Sequence, residues 1–171
     1  MHILSPPPAL KTTPKLYEVV DHLIKRGWRP IGSGQTGTYV LGRPGRRGIL
    51  KLGTFGVMNN FIAFLRANGP NVALPALFGA TSPDHLWIGF YCERLQPMTH
   101  TQVAAWEEWI VGDWQANRGV AVTDPFGVAE MLGRLHKTAI ATPGLGLDVC
   151  NPDNVMVRPG TCQLVFSDPF V

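Results

Sequence analysis

The stretch LDVCNPDNVMV, residues 147 to 157, sets Asp148 six positions ahead of Asn154 and then runs directly into apolar residues that read as a strand. An acid and an amide presented by a short polar loop beside a buried strand suit phosphoryl transfer, in which a carboxylate orients an acceptor hydroxyl and oxygen ligands hold Mg²⁺. Turns use the same residue types for purely conformational reasons. A second acid, Asp168, closes the run CQLVFSD, which follows a Pro159-Gly160 turn. An antiparallel hairpin over these residues brings Asn154, just before one strand, and Asp168, at the end of the other, to the same end. Two potential metal ligands then sit together.

A third group of candidates lies near the other end of the chain. GSGQTGTYV, residues 32 to 40, spaces Gly32, Gly34 and Gly37 as G-x-G-x-x-G, and Lys51 follows in ILKL. Glycines let a backbone approach phosphates and donate N–H groups without obstruction, and a lysine adds a mobile cation for the α- and β-phosphates. The glycine spacing also marks dinucleotide-binding turns and ordinary hairpins, and a lone strand lysine is more often a side chain reaching for solvent. A dinucleotide fingerprint should open a helix, whereas Thr38, Tyr39 and Val40 favour a strand. The chain has no Gly-Lys-Ser/Thr signature of a P-loop.

These residues need elements to position them. A helix is predicted over 13 to 27, with Thr13 as N-cap, Pro14 in the first turn and Gly27 as the stop. Glycine clusters alternating with β-favouring residues predict strands near 29 to 33, 37 to 42 and 47 to 52, with a Pro44-Gly45 turn. Val57, Phe61, Phe64 and Leu65 give a helix over 56 to 68, and apolar segments at about 72 to 79 and 85 to 93 flank the turn TSPD. A five-stranded antiparallel sheet with one helix packed on it follows. Val103, Trp106, Ile110 and Trp114 line a helix beginning near Thr99, and Thr123, Asp124 and Pro125 open another that runs to about Ala141. The class is α+β. His136 reads as a packed structural histidine, and Trp106, Trp109 and Trp114 read as core.

The totals bound what this machinery can serve. A chain of 171 residues, 45% hydrophobic and 16% charged, makes one domain or two small lobes sharing an interface. The formal charge of +3 is spread out apart from Arg43, Arg46, Arg47 and Lys51, which is no nucleic-acid footprint by itself. Cys92, Cys150 and Cys162 are odd in number and lack metal-ligand spacing, so reduced thiols in a cytoplasmic chain are expected. No secretory signal or membrane-spanning run is read, and SPPP suggests an extended tail over residues 1 to 12.

Taken in order, the motifs resemble the protein-kinase-like superfamily, and in style the small serine/threonine kinases of tailed phages. Gly32, Gly34 and Gly37 are similar to its glycine-rich loop, with Tyr39 where a Val is usual, and Lys51 falls at the third-strand lysine. ERLQP at 93 to 97 resembles the hinge, which brings Glu93 to the nucleotide, and LGRLHK at 132 to 137 resembles the helix before the catalytic loop. DVCNPDN is similar to the D-x-x-x-x-x-N catalytic loop, followed by SDPF in place of D-F-G. The resemblance implies a minimal two-lobed fold, with an N-lobe at 13 to 95 and a reduced helical C-lobe at 96 to 171 carrying a catalytic β-hairpin. It implies ATP and Mg²⁺, with Asp148 as catalytic base and Asn154 and Asp168 as metal ligands. It further implies a host protein as substrate in the bacterial cytoplasm, with no nucleic acid or membrane partner and a homodimer as an option. Two rivals stay open: a small-molecule kinase akin to aminoglycoside phosphotransferases, and a non-catalytic kinase-like binder that inhibits a host factor.

The departures from the pattern are specific. Residues 52 to 83 contain no Asp or Glu, so the helix at 56 to 68 offers Lys51 no acidic partner. Asn59, Asn60 or Glu93 is left for that task, or the lysine goes without. Gly146 and Leu147 stand where His-Arg is usual, and Cys150 where a Lys is common. Three residues follow Asp168, so the expectation is a minimal kinase that docks its substrate differently, or a shortened chain.

Overall fold

A computed structural model of the chain describes residues 15–33, 37–53, 56–81 and 87–171. The fold is α+β and divides into two compact units, Met1–Gly69 with Ala76–Arg94, and Pro70–Pro75 with Leu95–Val171.

The first unit is built on a five-stranded antiparallel sheet. Helix α1 (Leu16–Lys25) precedes β1 (Arg29–Ser33), β2 (Tyr39–Gly42) and β3 (Gly48–Gly53), and α2 (Val57–Asn68) leads to β4 (Leu77–Ala80) and β5 (Ile88–Glu93). Strand order is β1-β2-β3-β5-β4. The β2–β3 turn is set by chemistry: Pro44 fixes one central φ, Gly45 takes the positive φ of 74° that a side chain resists, and the Arg46 N–H closes on the Arg43 carbonyl at 3.1 Å. Leu50 and Leu52 of β3 alternate out to one face, where they join Leu41, Trp87 and Val19 and Val20 of α1 in a buried cluster. The opposite face receives α2, whose Phe61 meets Phe90 of β5 edge-on with ring centroids 6.1 Å apart. Lys51 is registered opposite Phe90 and Val40, so its side chain leaves the sheet on this α2 face. Thr13 and Pro14, expected to begin α1, lie outside the described residues, as do residues 82–84 of the TSPD turn; the helix itself spans Leu16–Lys25.

The second unit holds β6 (Gln96–Pro97), α3 (His100–Trp109) continued by a π-helical stretch over Ile110–Gln115, α4 (Ala129–Ala141), a 3₁₀ turn at Pro152–Asn154, and the hairpin β7 (Val155–Val157) and β8 (Leu164–Phe166). β6, β7 and β8 form a three-stranded antiparallel sheet. Thr99 caps α3 reciprocally: its hydroxyl accepts from Gln102 N–H, and the Gln102 side chain accepts from Thr99 N–H. Trp106, Trp109 and Trp114 are buried, and His136 packs against the Trp114 ring at 5.2 Å.

Two boundaries differ from expectation. The strand expected over 72 to 79 begins only at Leu77, because Pro70–Pro75 belong to the second unit: Phe166 N–H donates to the Ala73 carbonyl, and the Arg158 guanidinium donates to the carbonyls of Val72 and Leu74. Helix α4 begins at Ala129, not near Thr123. Asp124 does cap it, accepting from Val128 and Ala129 N–H at 2.8 and 3.1 Å, but a turn with Gly127 at φ 67° intervenes.

Among the described residues, no helix is long and apolar enough to cross a membrane. The cysteines are thiols, Cys92 buried and Cys150 and Cys162 exposed.

Candidate active site

The β7–β8 hairpin does for Asn154 and Asp168 what its register requires. Val155 pairs with Phe166, so the next positions outward are Asn154 and Ser167, and the Asn154 carbonyl accepts from Ser167 N–H at 2.9 Å and from Asp168 N–H at 3.5 Å. The loop before β7 tightens into a 3₁₀ turn because Asn151 accepts from Asp153 N–H at 3.1 Å and Pro152 supplies the first helical φ. That turn delivers the Asn154 side chain to Asp148. Its Nδ2 donates to the Asp148 main-chain carbonyl at 2.9 Å and to the carboxylate Oδ2 at 2.8 Å.

Asp148 is fixed from two further directions. Its N–H donates to the Pro169 carbonyl at 2.8 Å, within a short antiparallel pairing of Leu147 with Phe170. One residue on, the buried Val149 carbonyl accepts the indole N–H of Trp106 at 3.0 Å. Asp148, Asn154 and Asp168 are thus brought together in one unit, each about half-buried.

The donor set suits a hard divalent cation. Because Nδ2 of Asn154 is committed to Asp148, the amide oxygen Oδ1 is the atom it can offer a metal, with the Asp168 carboxylate as the charged ligand. Among the described residues no three or more His, Cys, Asp or Glu are placed to hold a metal ion together, so any metal here would rest on two acids and an amide, the oxygen-rich and water-sharing arrangement that Mg²⁺ accepts.

Cys150 borders this site. Its sulfur accepts from Gln115 Nε2 at 2.9 Å. Partial burial of the sulfur pushes the thiol pKa up; the Gln115 hydrogen bond pulls against that, and the negative charge of Asp148 adds to the rise. Position 150 therefore offers an uncharged thiol where a cation was the pattern.

The remaining candidates belong to the first unit. Lys51 is buried in β3, on the face covered by α2, and that helix carries no acid. Glu93 stands opposite Gly48, three register positions from Phe90, so alternation sends it to the other face of the sheet from Lys51. Its carboxylate accepts from Ala76 N–H at 3.2 Å, and its own N–H donates to the Ala76 carbonyl at 2.9 Å. Gly32 lies in β1 opposite Val40, beside an irregularity in register, and Gly37 has φ 73°; Gly34 is outside the described residues. The glycine run joins two antiparallel strands and opens no helix, which removes the dinucleotide alternative.

Three contributors were not visible as candidates: Trp106, Asn151 and Gln115. The Trp106 spacing signalled core and nothing more. Asn151 sits within an Asx-Pro turn signal, and Gln115 had no local signal.

No family model matches the chain, and neither does any curated protein.

Proposed function

We propose that this protein is an ATP- and Mg²⁺-dependent phosphotransferase of protein-kinase-like two-lobed architecture, a compact phage or bacterial serine/threonine kinase that acts on a host protein in the cytoplasm. The observation that carries this reading is the Asn154 clamp. One side chain grips the main chain and the carboxylate of Asp148, while its backbone carbonyl takes the N–H groups of Ser167 and Asp168. Turn chemistry alone requires no such three-way convergence.

In this reading Asp148 orients the acceptor hydroxyl and takes its proton as the new O–P bond forms and the bond to the departing ADP oxygen breaks. Asn154 Oδ1 and Asp168 hold Mg²⁺, whose charge offsets that of the phosphoryl oxygens. Lys51 pairs with the α- and β-phosphates, and the glycines at 32, 34 and 37 give the phosphates backbone N–H groups. The deciding experiment incubates the protein with γ-labelled ATP, Mg²⁺ and a bacterial lysate. Label transfer should fall on the order of 10²–10⁴-fold in Asp148→Asn and comparably in Asp168→Asn. Equal labelling by all three proteins would remove the assigned roles.

A non-catalytic reading is favoured by one departure from the family pattern: the helix covering Lys51 carries no Asp or Glu. An Asp148→Asn/Asp168→Asn protein that keeps its full effect on a host cell would select the binder. Lost effect with retained folding would select the enzyme.

A further inference from the structure

The end of the five-stranded sheet away from the glycine run collects arginines from four strands. Arg29 opens β1 and is registered with Gly42, the residue before Arg43. Arg43 and Arg46 bracket the β2–β3 turn through their own hydrogen bond, and Arg47 precedes β3. Arg94 follows β5 and donates its N–H to the Arg47 carbonyl at 3.3 Å, so backbone pairing links the set from edge to centre. All five are exposed, and among the described residues none forms an ion pair. Glu93, the acid closest in sequence, has its carboxylate on Ala76 N–H.

Five like charges held at one sheet end repel each other, a cost that folding does not require and that an anionic partner relieves. Arginine also offers planar, bidentate recognition of carboxylates, which a hydrated lysine does not. We infer that this arginine end is a docking surface for an acidic polypeptide segment. The patch spans three strand spacings, roughly 14 Å, about the reach of four extended residues. That scale and the net charge of only +3 on the whole chain suit a short Asp/Glu run better than a nucleic acid, whose affinity is summed over many phosphates. Since β2 separates this end from the glycine run, a docked segment leaves that run accessible. The inference does not depend on the catalytic reading.

A fluorescein-labelled octaglutamate peptide, with octaglutamine as control, tests it by anisotropy at low salt. The octaglutamate should bind and the octaglutamine should not. Arg43→Glu/Arg46→Glu should weaken binding at least roughly tenfold, while the charge-matched Arg66→Glu/Lys137→Glu should leave it within about twofold. Arg43→Ala/Arg46→Ala/Arg47→Ala, which adds no acid, should also weaken it, and urea midpoints check that all variants fold. Equal peptide binding by every variant would overturn the proposal. So would tighter binding of an oligothymidylate of equal charge or of phosphatidylserine vesicles, or a salt-sensitive dimer abolished by Arg43→Glu/Arg46→Glu.

Discussion

The Asn154 side-chain amide donates two hydrogen bonds to a single residue, one to the main-chain carbonyl of Asp148 and one to its carboxylate. The loop of five residues between them is thereby closed at its neck, and the carboxylate is oriented by the same atom that closes it. Asn154→Ala removes both bonds and leaves a half-buried carboxylate with less compensation, so the second unit should lose about 1–3 kcal/mol. Trp106, Trp109 and Trp114 report on that unit by fluorescence during urea unfolding. An unchanged midpoint would show that the clamp does not stabilise the loop.

Arg158 ties down a segment distant in sequence, donating to the carbonyls of Val72 and Leu74 at 2.9 and 3.1 Å. Arg158→Met keeps the aliphatic stem and deletes both donors, which should cost about 1–2 kcal/mol. Hydrogen exchange at the Phe166 amide, bonded to the Ala73 carbonyl, should quicken as the segment loosens. Unaltered exchange would mean that Leu74 and Ala73 hold by burial alone.

The same segment shows why part of the fold could not be read locally. Residues 72 to 79 look like a strand because Val72, Ala73, Leu74 and Leu77 are apolar, yet what decides their state is a guanidinium more than eighty positions away. The hairpin at 155–166 was legible because its turn, Pro159-Gly160, and its apolar runs agree, and Gly160 adopts a φ of 75°. The convergence of Asn154 with Asp168 followed from that register. The π-helix over Ile110–Gln115 was invisible, since Trp106, Ile110 and Trp114 recur at a spacing that an ordinary helix satisfies as well. Its consequence, Gln115 meeting Cys150, was lost with it. The late start of α4 escaped for a related reason: the Asp124 cap was recognisable, but its carboxylate reaches across an intervening turn to Val128 and Ala129.

Asp113 offers a pH-dependent test of another loop. Its carboxylate accepts from the N–H groups of Val122 and Thr123 at 2.7 and 2.8 Å and from the Thr123 hydroxyl. These bonds, the Thr123 hydroxyl foremost, hold its pKa below the ordinary Asp value. A folded pKa lower than the unfolded one means that the stabilisation is fully present above the unfolded value and is lost as pH falls through the folded value. Exchange protection at the Val122 and Thr123 amides, corrected for intrinsic rates, should therefore hold at about pH 6 and fade towards about pH 2. Asp113→Asn should abolish that dependence, and protection that ignores pH in the wild type would refute the role of the charge.

Cys150 reads out the electrostatics of the candidate site without any assumption about its reaction. Burial first, and then the Asp148 carboxylate, push the thiol pKa up, while the Gln115 hydrogen bond favours the thiolate. The thiolate is the form that alkylates, so at a fixed mildly alkaline pH the rate at Cys150 tracks the balance of these influences. Asp148→Asn removes a negative charge and should speed iodoacetamide labelling of Cys150. Gln115→Ala removes the favourable hydrogen bond and should slow it, unless the added exposure outweighs the lost bond, which labelling in a Cys92→Ala/Cys162→Ala background at several pH values separates as a shift in midpoint from a change in limiting rate. A midpoint that stays put in Asp148→Asn would mean that the carboxylate does not act on the sulfur.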